Sequence, residues 1–120
     1  MWNENIRVMR QEGWPEGVPT LLVIGPLTVA TLEEFMQAVR AEDAPALIVD
    51  MSRVPYVDSS GVGGIINAHV SRRNSGRRFI LTGITDRVRD LFRLTKTEQI
   101  LTIFPSLRAA QEDLALDLTS

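Results

Sequence analysis

The chain has 120 residues, a formal net charge of −2, 44% hydrophobic and 23% charged residues, and no cysteine. That is the balance of one ordinary globular domain, long enough to bury a core, and it excludes disulfide and thiolate chemistry. No basic stripe with interleaved aromatics suggests nucleic acid, and no long apolar run or basic-then-apolar leader suggests a membrane span or signal peptide. The expectation is an intracellular, cytoplasmic protein.

Met1 to Asn5 reads as a loose start. Ile6 to Gln11 alternates apolar and polar side chains, as a half-exposed edge strand does. Glu12 to Pro19 carries two Gly and two Pro and reads as a loop. Thr20 to Ile24 is apolar enough for a strand covered on both faces, and Gly25-Pro26 ends it. From Thr28 the period is helical. Leu32, Phe35, Met36 and Val39 fall at i, i+3, i+4 and i+7, and Thr31 with Glu34 has the spacing of a capping box. Asp43-Ala44-Pro45 closes that helix, and Ala46 to Met51 is a buried β-branched strand. A loop stiffened by Pro55 leads into a helix on which Val62, Ile65, Ile66, Val70 and Arg73 share a face. Asn74-Ser75-Gly76 stops it. Arg78 to Thr82 is the next strand, and Thr85 caps a helix with Val88, Leu91 and Phe92 inward. Gln99 to Phe104 is a last strand, and Pro105-Ser106 starts a helix carrying Leu107, Ala110 and Leu114, with 117–120 a loose end.

This order predicts an α/β fold: one domain over residues 1–120, a mixed, mostly parallel sheet of about five strands, and about four helices on right-handed crossovers. The loops after Ile24, Met51 and Thr82 then share one end of the molecule, beyond the strands' carboxyl ends. There Asp58-Ser59-Ser60-Gly61 turns the third strand's loop into a helix. Helix amino-termini leave N–H groups that Asp and Ser satisfy, and their positive dipole end receives anions, phosphate included. Ser59 is therefore a cap, a phosphate acceptor, or both, and Asp58 is equally placed to be the cap. Asp50 has a bland reading too, satisfying loop N–H groups at the strand's end. Gly61, Gly63 and Gly64 each cost helix stability, roughly 1 kcal/mol in a helix interior, but leave room for another backbone to approach. Arg72, Arg73, Arg77 and Arg78 read as solvated residues at a helix carboxyl end, and Trp2 and Trp14 as cover for a sheet edge.

An enzyme is a poor reading. His69, the only histidine, lies about two and a half helical turns beyond Ser59. Ser59 lacks the Gly-x-Ser-x-Gly elbow, no pair of His or Cys is available for a metal, and no phosphate-cradling glycine loop precedes a lysine.

The run from Val49 through Asp50, Asp58-Ser59-Ser60-Gly61 and Gly63 resembles the signature of STAS domains, in the group of anti-sigma-factor antagonists. The likeness continues through Arg72-Arg73, Gly76-Arg77-Arg78, Leu81-Thr82-Gly83-Ile84, Val88 to Thr95 and Phe104 to Ala110. The resemblance implies a protein-binding switch with no cofactor of its own. In similar proteins an anti-sigma factor that is also a serine kinase phosphorylates the position matched by Ser59, and a PP2C-type phosphatase restores it. The unphosphorylated form binds the anti-sigma factor and frees the sigma factor. Asp50, Asp58, Ser60, Gly61, Val62, Gly63 and Thr28 would form the acceptor's surroundings. A rival role is a STAS subunit of a larger assembly, a stress-signalling complex or a lipid-transport accessory, with no phospho-switch. Two departures stand out. Thr28 occupies a position where many antagonists are acidic, and Thr95-Lys96 replaces a frequent Thr-Gly, so a left-handed turn there would fall on Lys96.

Overall fold

The runs of apolar and alternating residues pair into one five-stranded sheet in the computed structural model, which describes residues 5–119. The strands are β1 (Arg7–Gln11), β2 (Thr20–Ile24), β3 (Ala46–Arg53), β4 (Arg78–Thr82) and β5 (Thr102–Phe104). The helices are α1 (Leu32–Arg40), α2 (Ser59–Asn74), α3 (Asp86–Leu94) and α4 (Leu107–Thr119). Strand order follows chain order; β1 is antiparallel to β2, and every later pairing is parallel. The carboxyl ends of β2 to β5 consequently face one way.

Successive side chains of a strand point to opposite faces, and the two faces here carry different cores. Leu21, Val23, Leu47, Val49, Met51, Phe79 and Leu81 lie under α1, α2 and α3, against Phe35, Val39, Ile65 and Phe92 among others. On the opposite face Ala46, Ile48 and Ile80 meet α4 through Ala110 and Leu114, with Val18 alongside. Side chains of this size contribute about 1.5–3 kcal/mol each when fully buried.

Several boundaries differ from the sequence expectation, each for a local reason. β3 runs on to Arg53, whose carbonyl accepts from Gly25 N–H at 3.1 Å, so pairing with β2 extends past Met51. β5 is three residues long, because the Ile100 and Leu101 N–H groups both donate to the Thr97 carbonyl and fold that stretch into a turn. The capping box does not form. Thr31 precedes α1, but its hydroxyl donates to the Pro26 carbonyl at 2.8 Å and accepts from Thr28 N–H, which stitches the preceding turn instead. Residues 117–119 belong to α4 and are not a loose end. Trp14 is 55% exposed; Trp2 lies outside the described residues.

The buried face of α2 is also rotated from the predicted one. Val62, Ile65, Ala68, His69 and Arg72 are buried, while Val70 and Arg73 are exposed. Arg72 is thus not a solvated arginine. Its Nε donates to the Arg78 carbonyl at 3.0 Å, and its two terminal nitrogens donate to the Glu42 and Ala44 carbonyls at 2.9 and 2.7 Å. Lys96, by contrast, does adopt the left-handed turn, with φ 58°.

Candidate functional site at the amino-terminus of α2

The site is built by two loops sewn together at the carboxyl end of the parallel strands. Leu27 N–H donates to the Tyr56 carbonyl and Asp58 N–H to the Leu27 carbonyl, both at 3.1 Å, and Leu27 forms an isolated parallel bridge with Val57. Backbone pairing of this kind leaves little freedom in where the next residue enters its helix. Asp58 is extended, with ψ −178°, and caps α2: its Oδ1 accepts from Gly61 N–H at 2.8 Å. Its Oδ2 accepts from Val29 N–H at 3.1 Å. One carboxylate therefore caps the helix and holds the β2–α1 loop against it.

With Asp58 as the cap, Ser59 is the first helical residue and is exposed, while Ser60 is half-buried. The cap of α2 is Asp58 and not Ser59. The first turn of α2 holds no acidic side chain, and its leading N–H groups point away from any intrahelical carbonyl. The positive end of the helix dipole thus lies beside an exposed serine.

The glycines divide. A Cβ on Gly61 would stand 2.3 Å from the Leu27 carbonyl oxygen, and one on Gly64 would stand 2.2 Å from Leu32 Cδ1. These two serve close packing inside the chain, not the approach of another molecule. At Gly63 an added Cβ meets nothing within 4 Å, so only this glycine opens outward. Val62 is 6% exposed and anchors the turn to the core. Thr28 is buried, its hydroxyl accepting from Ala30 N–H at 3.2 Å.

The structure gathers Thr28, Asp58, Ser60, Gly61 and Val62 about Ser59, with Gly63 one turn along the surface. Asp50 is placed differently. It is half-buried in β3, just before buried Met51 and opposite Thr82, and its Oδ1 accepts from Ser52 N–H at 2.9 Å beside Gly83. That hydrogen bond is the kind its bland reading expected, satisfying an N–H group at the strand's end.

Sequence reasoning missed two features. Val29 is 74% exposed although its backbone is fixed by Asp58; nothing in the sequence marks it. Arg87 lies 5.2 Å from the Tyr56 ring centre, tying α3 to the loop before Asp58 by a cation–π contact. Among the described residues no cluster of His, Cys, Asp or Glu is arranged to hold a metal ion, and no helix is long and apolar enough to cross a membrane.

The fold is that of a known class. The chain belongs to the STAS domain family, whose model matches residues 15–110. An anti-sigma-B factor antagonist from Listeria monocytogenes is 29% identical over 80 residues, 67% of this chain and 70% of that protein. A crystal structure of an anti-sigma factor antagonist from Mycobacterium paratuberculosis superposes with a TM-score of 0.79 at 21% identity, covering 91% of this chain and 93% of the other. A sulfate transporter family protein from Wolinella succinogenes also reaches 0.79, at 20% identity over 88% of this chain and 91% of that one. At such identities the two structures speak for the fold alone.

Proposed function

We propose that this protein is an anti-sigma-factor antagonist whose binding to an anti-sigma factor with serine-kinase activity is released by phosphorylation at Ser59, and so controls sigma-factor-dependent transcription. The observation that carries the reading is the exposed Ser59 hydroxyl on the first residue of α2, with capping assigned to Asp58. The names of the curated relatives point to the same partner class.

A phosphate adds about −1.5 to −2 charges and three acceptor oxygens. On the first turn of a helix it meets free N–H groups and the favourable dipole, so the domain stays folded. Its effect falls on whatever is docked over Ser59, through bulk, like charge and desolvation. A loss of about 2.7 to 4 kcal/mol weakens a complex about 100- to 1000-fold. The kinase supplies nucleotide and metal, so the antagonist carries no cofactor, and a PP2C-type phosphatase resets it.

Intact-mass analysis of protein from its own cells, before and after phosphatase, tests the proposal. The expected result is one removable phosphate that fragmentation places on Ser59 and that Ser59→Ala lacks, with Ser59→Asp melting like the wild type. A chain that stays unmodified in every growth condition while still holding a partner would overturn the switch and favour a subunit of a larger assembly.

A further inference from the structure

A charge taken out of water is tolerated when a counter-charge and hydrogen bonds meet it. Arg72 has the second without the first. It is 5% exposed, yet among the described residues no carboxylate stands within ion-pair distance of it. Its bonds to the Glu42, Ala44 and Arg78 carbonyls use three of the five N–H groups of a guanidinium. The remaining two are donors, and the positive charge is left unpaired.

Arg72 stands in the wall of a cavity of about 190 Å³ between the second halves of α1 and α2, at the end of α2 away from Ser59. Arg40 and Arg77 line the same cavity, and the only carboxylate there is that of Glu42. Glu42 is already committed, accepting from Arg10 Nε at 2.6 Å. The partners of Arg40 and Arg77 lie on the solvent side: Glu33 at 2.8 Å and Asp43 at 3.6 Å, with side chains 72% and 89% exposed. Exposed pairs of this kind hold weakly, so both guanidiniums are free to turn to a ligand. Arg77 is close enough for its charge to work against that of Arg72, in addition to burial.

Size and donor set define the ligand. The cavity is smaller than the roughly 300 to 1,000 Å³ of sites that take drug-sized molecules, so the ligand is small. A carboxylate offers two oxygens, whereas a phosphoryl group offers three and about −1.5 to −2 charges. The second is the better match for three guanidiniums with the Ser71 hydroxyl beside them. Both helices turn their carboxyl ends to this pole, which repels anions, so the arginines must supply the whole attraction.

We propose that this cavity is a binding site for a small phosphoryl oxyanion, held on Arg72 with Arg40 and Arg77 at its open side. The ligand is either free phosphate or the phosphoryl head of a small metabolite. The site does not depend on the function proposed above.

The test is a titration of the full chain followed by NMR, at fixed ionic strength in a phosphate-free buffer. The probes are inorganic phosphate and, separately, glycerol 3-phosphate. Saturable shifts at Ser71, Arg72 and Arg77 are expected, with affinity at least tenfold lower in Arg40→Gln and in Arg77→Gln. Each variant loses only an exposed ion pair and should melt like the wild type. Arg73→Gln removes the same charge from an exposed position of α2 outside the cavity and should bind like the wild type. Glycerol 3-phosphate binding at least as tightly as phosphate assigns the site to a phosphorylated metabolite, and weaker binding assigns it to the free ion; either upholds it. Equal losses in all three variants would reduce the effect to general positive charge and overturn the site. So would shifts that never saturate, shifts confined to the first turn of α2, or displacement by equimolar acetate or chloride.

Discussion

Two glycines two residues apart look alike in the sequence, yet Gly61 and Gly63 answer to opposite physics. A methyl group on Gly61 collides with a backbone carbonyl that is itself hydrogen-bonded to Asp58 N–H, so relief means moving the sewn loops. Gly61→Ala should destabilise the domain by about 1–3 kcal/mol, the usual range for overpacking. Gly63→Ala meets open space and removes backbone freedom from the unfolded chain, so it should stabilise by up to about 1 kcal/mol. Urea denaturation of the pair decides the matter; equal shifts of the same sign would contradict this account of the turn. The same scale explains what could be read beforehand at the site. Asp58 and Ser59 announce a helix start by residue type alone, but the division of labour between them depends on where Val29 N–H lies. That position is set by the β2–α1 loop, 29 residues away in sequence.

At the level of the element, α2 is held at both ends. Asp58 fixes its start, and near its finish Arg72 reaches the carbonyls of Glu42, Ala44 and Arg78, joining the helix to the α1–β3 loop and to the first residue of β4. Burial, with Arg77 nearby, lowers the Arg72 pKa from its ordinary value, against the pull of Glu42 and Asp43. Arg72→Ala strands three carbonyls and should cost about 2–4 kcal/mol; Arg72→Lys, with one point charge in place of a planar fork, should recover only part of it. Chemical denaturation of both variants checks this, and full recovery by lysine would show that charge alone matters. Helix and strand types were legible throughout, because apolar spacing is dictated by burial. The facing of α2 was not: apolar Val70 outweighed polar His69 and Arg72, whose burial depends on carbonyls from other elements. The ends of β3 and β5 escaped notice for a similar reason, since strand length is set by a neighbour's pairing and by the turn at Thr97.

For the molecule as a whole, the order of strands and helices and the end of the sheet that carries the site followed from the sequence pattern. The first part of its response to acid falls on a single histidine. His69 is 8% exposed beneath the Phe79 ring edge, and its Nδ1 has no hydrogen-bond partner among the described residues. Burial, reinforced by Arg73 and only partly opposed by the Phe79 carbonyl, pushes its pKa below the usual 6.5. The unfolded chain then takes up a proton that the folded chain resists, so this contribution is intact above pH 6.5 and lost as pH falls toward and through the lowered value. Denaturation midpoints should decline between about pH 7 and pH 5, ahead of the carboxylates, and His69→Leu should flatten that decline. Parallel curves for the two proteins would rule the histidine out.

The left-handed turn at Lys96 has a consequence of another kind. It is the sole lysine of the chain, and it sits between α3 and β5, at the pole opposite Ser59. A lysine-specific protease therefore has one bond to cut. The larger fragment keeps α2 and both sewn loops intact, and the smaller carries β5 and α4, which among the described residues is the only helix on the sheet's second face. The molecule comes with a natural seam that divides the recognition half from the piece that seals its back.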